Sequence, residues 1–172
     1  DGSDQRSSIG SIEVTFDGEV QFSGDAFDFV NTTTGQSVVD VPVITNDGGK
    51  TVVNFTFVAG DTVNSAGLLE DGDYRLTIDA ALTSSFGVAF DGDGNGTGGD
   101  DFVFGAAAVD KFYRKFGDGG GNGTVDLLDF AQFRQTFGAD PSDGNWNHAY
   151  DDDGDGEIGL LDFAAFRSNF GT

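Results

Sequence analysis

The last third of the chain repeats one pattern, and this repeat limits the folds that the sequence can adopt. Residues 118–138 read DGGGNGTVDLLDFAQFRQTFG, and residues 151–171 read DDDGDGEIGLLDFAAFRSNFG. Each copy begins with a glycine-rich loop that carries oxygen-bearing side chains at alternate positions. Each then continues through LLDFA and Phe-Arg, with apolar residues at the spacing of an amphipathic helix. The repeat therefore predicts two loop–helix units, which end at Gly138 and Gly171, where glycine commonly follows a helix.

The second loop has the side chains of a cation site. Carboxylates stand at its first, third, fifth and twelfth positions, and Gly156 stands at the sixth, where a sharp turn is needed. The seventh residue would contribute its backbone carbonyl, and Gly159 at the ninth would leave one place to a water molecule. Oxygen ligands at this spacing suit the hard cation Ca²⁺. The predicted ligands are Asp151, Asp153, Asp155, Glu157 and Asp162.

The first loop has the same register with one gap. Gly120 occupies its third position, so one side-chain ligand is missing and we expect weaker binding of Ca²⁺. Aspartate and glycine also cluster in ordinary solvated turns, but two loops in register favour metal binding over that alternative. The predicted ligands are Asp118, Asn122, Thr124, Asp126 and Asp129.

Residues 91–117 have the pattern of a third, degenerate copy. Oxygen-bearing side chains again alternate at the first, third and fifth positions, with Gly96 at the turn. A helix is predicted over Ala106–Phe116 because Val109, Phe112 and Phe116 share one helical face. A merely acidic hinge is the alternative to a third calcium site. The predicted ligands are Asp91, Asp93, Asn95 and Thr97, with Asp101 or Asp110 as the closing ligand.

The chain is strongly acidic, with 30 Asp and Glu against eight Lys and Arg and a formal net charge of −22. Such a charge repels nucleic acid and anionic membranes and attracts divalent cations. We therefore expect no nucleic-acid partner, and no apolar run is long enough to predict membrane insertion. Calcium loops that need millimolar ion concentrations work outside cells. The predicted location is therefore secreted, extracellular or at the cell surface.

Residues 9–90 alternate apolar and polar side chains with a period of two, which indicates β-strands. Pro42 lies within one such run, so that strand is predicted at a sheet edge or at a bulge. The predicted fold is mainly β plus α, with an antiparallel β-sandwich over residues 9–90 and a calcium-loop and helix module over residues 91–172. Residues 1–8 are predicted to be a linker or N-terminal arm. The predicted strands are 12–16, 20–22, 27–30, 37–44, 51–58 and 74–78.

The segments IEVTF, GDYRLTI and DGDGNG resemble the start, the middle and the closing turn of bacterial Ig-like domains. This resemblance implies an Ig-like antiparallel β-sandwich, and a spacer or adhesive role instead of catalysis. The segment LEDGDY also resembles a tyrosine corner, in which the Tyr74 hydroxyl would return to the upstream backbone. The alternative for Tyr74 is an ordinary aromatic residue on a half-buried strand.

Residues 118–171 resemble a type I dockerin, a module of two F-hand motifs in which a calcium loop precedes a helix. The resemblance implies calcium-dependent docking onto a cohesin domain in an extracellular assembly. The whole chain is similar to the C-terminal modules of large secreted planctomycete-type proteins. Core packing is the alternative for the four leucines at the recognition positions, and simple solvation is the alternative for the two arginines. These recognition positions are Leu127, Leu128, Leu160, Leu161, Arg134 and Arg167.

Two single-copy residues are predicted to be structural. Trp146, the only tryptophan, is expected to cap a small core, because packing is the larger energetic use of such a side chain. Sugar binding by Trp146 is the alternative. His148, the only histidine, is expected to face solvent, because no cysteine or second histidine is present to complete a transition-metal site.

These features favour a non-catalytic extracellular calcium-binding module that mediates attachment or assembly. Its partner would be a cohesin-like domain or other copies of the same chain. A self-assembling filament or surface-layer subunit that uses strand addition is the main alternative. Carbohydrate binding and glycoside hydrolysis are further alternatives. We expect no enzyme activity, because most aspartates stand in turns or cation loops and no catalytic triad or phosphate loop is present.

Overall fold

The computed structural model describes residues 5–172. These residues divide into two compact units, and each unit is assembled from separated stretches of chain. The helical unit contains residues 5–10, 59–72 and 113–172, and the strand unit contains residues 11–58 and 73–112. The domain boundary predicted near residue 90 falls inside the strand unit.

The described chain forms short strands, as its alternating pattern predicts. Strand β6 shows the reason, because its odd-numbered side chains Thr51, Val53, Phe55 and Phe57 are buried and its even-numbered side chains are more exposed. The strands are β1 (Ser11–Phe16), β2 (Gln21–Phe22), β3 (Phe27–Asn31), β4 (Gln36–Ser37), β5 (Asp40–Asp47), β6 (Lys50–Phe57), β7 (Gly72–Ile78), β8 (Thr83–Ser85), β9 (Val88–Ala89), β10 (Phe102–Phe104) and β11 (Phe112–Arg114).

The strands pair in three sheets. One sheet has the order β1-β6-β5, a second has the order β10-β7-β3-β4, and a third has the order β2-β8-β9. Strand β11, which begins at Phe112, also pairs with β7. Strand β6 pairs antiparallel with both β1 and β5, and β7 pairs antiparallel with both β3 and β10. Pro42 lies in β5 at the edge of the first sheet, which confirms its predicted position.

Aromatic side chains fill the core of the strand unit. The ring of Phe55 lies 5.0 Å from that of Phe27, and the ring of Phe57 lies 5.7 Å from that of Phe29. Phe29 also contacts Tyr74, whose side chain is fully buried. Burial of each such side chain stabilises a fold by about 1.5–3 kcal/mol relative to exposure. The β-rich architecture predicted from the sequence is therefore confirmed.

The predicted third helix over Ala106–Phe116 is wrong. The chain forms β10 before this stretch, a turn within it, and β11 from Phe112. The turn is held by the Asp110 carboxylate, which accepts hydrogen bonds from the backbone N–H groups of Gly105 and Ala107. Val109 is 96% exposed, so the apolar spacing that predicted a helix buries no common face.

The helical unit contains two α-helices, as predicted. They are α1 (Leu127–Thr136) and α2 (Leu160–Asn169), each of ten residues. Asp126 caps α1 by accepting a hydrogen bond from the backbone N–H of Leu128. No helix among residues 5–172 combines the length and apolar character that a membrane span requires.

The two helices meet through their phenylalanine faces. Phe133 of α1 and Phe166 of α2 are buried, with ring centroids 4.8 Å apart. Phe116, Val125, Tyr150 and Ile158 complete the buried cluster around this pair. Because the cluster joins residues from both repeats, neither loop–helix unit buries its apolar face alone.

Residues 5–8 belong to this unit and do not form a free linker. Ser7 is fully buried, and its hydroxyl donates a hydrogen bond of 2.6 Å to the backbone carbonyl of Ala149. The same hydroxyl accepts a hydrogen bond from the backbone N–H of Gly117. The remaining part of the predicted N-terminal arm, residues 1–4, lies outside the described residues.

Asp40, at the start of β5, provides a pH-dependent test of the strand unit. Burial raises the pKa of its carboxyl, its own backbone N–H opposes the rise, and repulsion from Asp25 adds to it. Because the folded-state pKa exceeds the unfolded-state value, charged Asp40 destabilises the fold once pH rises through the folded pKa. We expect Asp40→Asn to raise the unfolding temperature at pH 7, with no rise below the ordinary pKa of 3.8. Thermal unfolding followed by circular dichroism measures both values.

The matched control is Asp47→Asn, which removes the same charge from the exposed far end of β5. Its unfolding temperature should change less than that of Asp40→Asn at pH 7. An equal rise in both variants would point to general relief of the net negative charge and would contradict an effect of burial at Asp40.

Candidate metal centre

Asp151, Asp153 and Asp155 bring their carboxylates together in the second loop. One oxygen atom from each residue lies within 4.8 Å of the other two. Asp151 is buried, Asp153 is half-buried and Asp155 is exposed, so the cluster leads from the interior to the solvent. Like charges at this separation repel one another. A divalent cation bound among them would remove that repulsion.

Backbone hydrogen bonds set the shape of this loop. The two carboxylate oxygens of Asp151 accept hydrogen bonds from the N–H groups of the fourth and sixth residues, at 2.9 and 3.2 Å. Those of Asp162, in the first turn of α2, accept from the second and ninth residues, each at 2.7 Å. The side chain at the twelfth position is thereby directed back toward the start of its own loop.

The electrostatics of the second loop oppose ionisation in the absence of a cation. Burial raises the pKa of Asp151, and repulsion from Asp153 and Asp155 adds to the rise, although hydrogen bonds from the loop backbone oppose it. Burial likewise raises the pKa of Asp162, with repulsion from Asp153 and Asp151. A positive charge at the centre of the loop would favour the ionised form of each group.

The first loop uses the same hydrogen-bonding scheme. Asp118 at its first position is buried and accepts from the N–H groups of Asn122 and Gly123, at 3.0 and 2.9 Å. Asp129 at its twelfth position is buried and accepts from those of Gly120 and Asp126, at 3.1 and 2.8 Å. In both loops the first carboxylate therefore holds the sixth residue, and the twelfth carboxylate holds the ninth.

The other predicted ligands of the first loop have different positions. The side-chain oxygen of Asn122 accepts hydrogen bonds from the backbone and the hydroxyl of Thr124, at 2.8 and 2.6 Å. Asp126 directs a carboxylate oxygen to its capping bond with Leu128. At the third position Gly120 has no side chain. The first loop therefore has fewer carboxylates directed into its centre than the second loop.

Tyr113 contributes to the first loop from outside the predicted ligand set. Its hydroxyl donates a hydrogen bond of 2.9 Å to Asp118. Burial raises the pKa of Tyr113 to about 12, and the hydrogen bond and negative charge of Asp118 add to the rise. The sequence prediction missed this residue because it placed Tyr113 within a helix.

A second acidic cluster lies in the 91–100 loop of the strand unit. Asp91, Asp93 and Asp100 each place a carboxylate oxygen within 4.8 Å of the others. Asp91 accepts from the backbone N–H groups of Asn95 and Gly96, at the fifth and sixth positions, as Asp118 does in the first loop. Hydrogen bonds from the side chain and backbone of Asn95 lower the pKa of Asp93.

The structure does not bring the two predicted closing residues into this cluster. Asp101 accepts a hydrogen bond from the backbone N–H of Ala80, and Asp110 holds the turn at residues 105–107. Asp100 lies in the cluster instead, because residues 91 and 100 form a parallel β-bridge. Gly92 permits this close approach, since a Cβ there would lie 2.2 Å from the backbone carbon of Asp101.

Two loops gather three carboxylates that could hold a hard cation, Asp91, Asp93 and Asp100 in one and Asp151, Asp153 and Asp155 in the other, whereas the 118–129 loop forms no such cluster among the described residues. All three loops offer carboxylate oxygens, supplemented by the Asn122 or Asn95 side chain, and contain no cysteine or histidine. Oxygen-only sets of this kind suit Ca²⁺ and do not select zinc or copper. Glu157 at the seventh position is exposed, so a contribution from that residue would come from its carbonyl, as for Thr124 and Thr97.

The four recognition-position leucines lie outside the core. Leu127, Leu128, Leu160 and Leu161 are 73%, 70%, 76% and 68% exposed, so the core-packing alternative is wrong for them. Arg134 and Arg167 are exposed on the same two helices. Trp146, by contrast, packs against the buried cluster of the helical unit, which confirms its predicted core role. His148 is exposed, as predicted.

Arg114 is a buried charged residue that the sequence prediction did not single out. It is only 3% exposed and forms ion pairs with Asp71 and Asp152. Asp71 comes from a stretch that was assigned to the β-sandwich, so sequence spacing carried no signal for this contact. Asp152 stands at the second position of the second loop, and the sequence analysis gave this acidic residue no role.

Comparisons with protein-family models, with curated proteins and with solved structures find no match to this chain.

Replacement of Gly120 tests the geometry of the first loop. A Cβ at this position would lie 3.7 Å from a carboxylate oxygen of Asp129 and 3.9 Å from the side-chain nitrogen of Asn122, which is ordinary contact distance. A longer side chain would therefore enter the space between two predicted ligands. We expect Gly120→Asp to strengthen calcium binding at the first loop by about tenfold, since affinity rises with the number of charged ligands. Calorimetric titration with calcium measures the change.

The matched control is Gly144→Asp, which adds the same charge between the repeats, where a Cβ would meet no atom within 4 Å. Its calcium affinity should stay close to that of the parent protein. If both variants gained affinity equally, the gain would reflect net charge, and the predicted placement of the third ligand would be contradicted.

Proposed function

We propose that this chain is a calcium-stabilised structural module that acts outside the cell, without catalysis, in attachment or assembly. The observation that carries the proposal is the hydrogen-bonding scheme shared by the two repeated loops. In each loop, a buried carboxylate at the first position holds the sixth backbone N–H, and one at the twelfth position holds the ninth. A repeated oxygen-lined loop of this kind supports calcium binding better than an ordinary solvated turn.

The burial of these acids supplies the energetic argument. Asp118, Asp129, Asp151 and Asp162 are all buried, and none of them forms an ion pair with another residue of 5–172. Burial of a carboxylate without a compensating positive charge costs several kcal/mol. Bound Ca²⁺ would supply that charge at each loop. Because the unfolded chain lacks the assembled loops, ion binding would stabilise the folded state.

Each loop would transmit this stabilisation to its helix. The twelfth residue lies within the first turn of the helix and reaches back to the loop, so a cation held between the first and twelfth residues fixes where the helix begins. Phe133 and Phe166 then meet in the shared core. We propose that calcium sets the arrangement of α1 and α2 in this way.

Calcium titration of the whole chain tests this function. We expect a higher unfolding temperature in calcium than in chelator, with a gain per site of about 2.7 kcal/mol when free calcium is about 100 times its dissociation constant. Asp162→Asn should remove most of the gain at the second loop, because it removes a charged closing ligand. Calorimetric titration and thermal unfolding measure these quantities.

Glu157→Gln is the matched control, since it removes one charge from the same loop at an exposed side chain. It should keep most of the parent affinity. The calcium function would be contradicted by a parent protein that takes up no calcium and unfolds at one temperature in calcium and in chelator.

We further propose that the paired helices present the docking surface of the module. Two apolar grooves, of about 290 and 350 Å³, open between α1 and α2. The repeat relates them, because each lining residue of one groove has its equivalent 33 positions away in the other. The first is lined by Leu127, Phe130, Phe163, Phe166, Arg167 and Phe170, and the second by Leu160, Phe163, Phe130, Phe133, Arg134 and Phe137.

The chemistry of the grooves supports a cohesin-like protein partner. Each groove combines an apolar floor with one arginine, in a chain whose surface is otherwise dominated by acids. A partner surface with apolar side chains at its centre and a carboxylate near its rim would complement this combination. The exposed leucines would lie at the edges of the contact.

The double variant Leu127→Ser and Leu160→Ser tests this surface. Both side chains are highly exposed, so their loss should leave the unfolding temperature within about 1 °C while weakening capture by an immobilised cohesin domain at least tenfold. Val109→Ser, at an exposed position of the strand unit, is the control and should bind like the parent. Equal capture of the parent and the double variant would contradict the assignment of the surface.

The main alternative is a self-assembling filament or surface-layer subunit. Strand β5 lies at a sheet edge, with every residue from Val41 to Asp47 exposed. An exposed edge can accept a strand from a neighbouring copy. Analytical ultracentrifugation in calcium distinguishes the functions, since polymers of the isolated chain would favour assembly and a monomer would favour docking.

The remaining parts of the proposal concern the strand unit and the location. We propose that its antiparallel strands form an Ig-like sandwich that acts as a spacer. A secreted or cell-surface location follows from the same proposal, because calcium loops of extracellular modules depend on about millimolar ion.

A further inference from the structure

Arg114 directs its whole guanidinium group to three separate parts of the helical unit. Its Nε donates a hydrogen bond of 2.8 Å to the backbone carbonyl of Ser7. Nη1 pairs with Asp71 at 2.9 Å, and Nη2 pairs with Asp152. Its side chain is 2% exposed and lies over the ring of Phe116. A planar group with this many directed contacts has little freedom to move.

The contact with Asp152 connects Arg114 to the second metal loop. Asp152 follows the first ligand of that loop, and its backbone N–H donates a hydrogen bond of 2.7 Å to the closing carboxylate of Asp162. The backbone carbonyl of Asp152 also accepts a hydrogen bond from the Asn64 side chain. Both the side chain and the backbone of Asp152 are therefore held in place from outside the loop.

The contact with Asp71 connects the same arginine to the far end of α2. One carboxylate oxygen of Asp71 binds Arg114 and the backbone N–H of Phe116, and the other accepts a hydrogen bond from Asn169. Asn169 is the last residue of α2, and Asp162 lies in its first turn. Arg114 thus restrains the second loop at its start and the helix that carries its closing ligand.

Among the described residues, the first loop is supported by a different charged side chain, because Lys115 donates a hydrogen bond of 3.0 Å to the backbone carbonyl of Gly123. The second position of the first loop is Gly119, where a Cβ would lie 2.1 Å from the hydroxyl of Tyr150. That hydroxyl donates a hydrogen bond to Gln132. The two loops therefore share their ligand scheme but differ in the charged residue that supports it.

We propose that Arg114 is a positioning residue for calcium in the second loop, an inference that rests on the proposed calcium-binding function. It acts through Asp152 and Asp71, and it does not touch the ion itself. By holding the loop start and α2 in the binding geometry before the ion arrives, it lowers the ordering required on binding.

The direction in which one substitution changes calcium affinity distinguishes positioning from simple electrostatics. Arg114→Met removes a positive charge close to a cation site. The loss of its repulsion on the calcium ion would by itself make calcium binding tighter. Loss of positioning makes it weaker, by about tenfold or more, the usual effect of removing a group that supports a metal ligand. The two causes predict opposite changes in the affinity of the second loop.

The experiment is a titration of the full chain with calcium chloride, followed by the backbone amide resonances of Gly123 and Gly156. These glycines hold the sixth positions of the first and second loops and donate equivalent hydrogen bonds. Each resonance reports the occupancy of its own loop. In Arg114→Met we expect about tenfold weaker calcium binding at Gly156, with binding at Gly123 unchanged.

Each other result overturns the proposal. Unchanged or tighter binding at Gly156 would exclude positioning, and equal losses at both glycines would show a general loss of fold. If neither amide of the parent protein responded to calcium, the calcium function would fail and this proposal with it.

If Arg114→Met does not fold, Arg114→Lys decides, because it keeps the positive charge but loses the planar guanidinium group. Weaker binding at Gly156 alone supports positioning, and unchanged binding there overturns it.

Discussion

The structure of the helical unit depends on four buried carboxylates at the first and twelfth positions of two repeated loops. Each has lone pairs that must be satisfied, and each accepts two backbone N–H groups of its own loop. These bonds bend the chain sharply at the sixth position. Gly123 and Gly156 stand there with φ of 88° and 86°, a conformation that glycine adopts without strain. The negative charge that remains at the centre of each loop is what a divalent cation would balance.

The features that the sequence predicted well are local ones. Alternation of side chains along a strand and the spacing of phenylalanines along a helix are set by neighbouring residues, so β6, α1 and α2 were visible before the fold was known. The position of Pro42 on an edge strand follows from its missing N–H in the same way. The acidic loops were visible because their aspartates and glycines recur in the same register in two copies.

The features that the sequence did not predict depend on distant parts of the chain. Residues 106–116 have a helical apolar spacing, but Gly105 brings the backbone close to Tyr74, where a Cβ would lie 2.2 Å from the carbonyl oxygen. Phe112 then stacks on Phe29, and the chain continues as a strand. Arg114 likewise has partners separated from it by 107, 43 and 38 positions in the chain. No local pattern could have indicated those contacts.

The proposed function requires that the two repeated loops bind calcium. A calcium-grown crystal of the whole chain, measured for anomalous scattering, tests that requirement most directly. We predict anomalous peaks inside the 118–129 and 151–162 loops, each within about 2.3–2.6 Å of carboxylate oxygens from the first and twelfth residues. Loops that keep the hydrogen bonds described above but show only water at their centres would contradict a calcium-stabilised module.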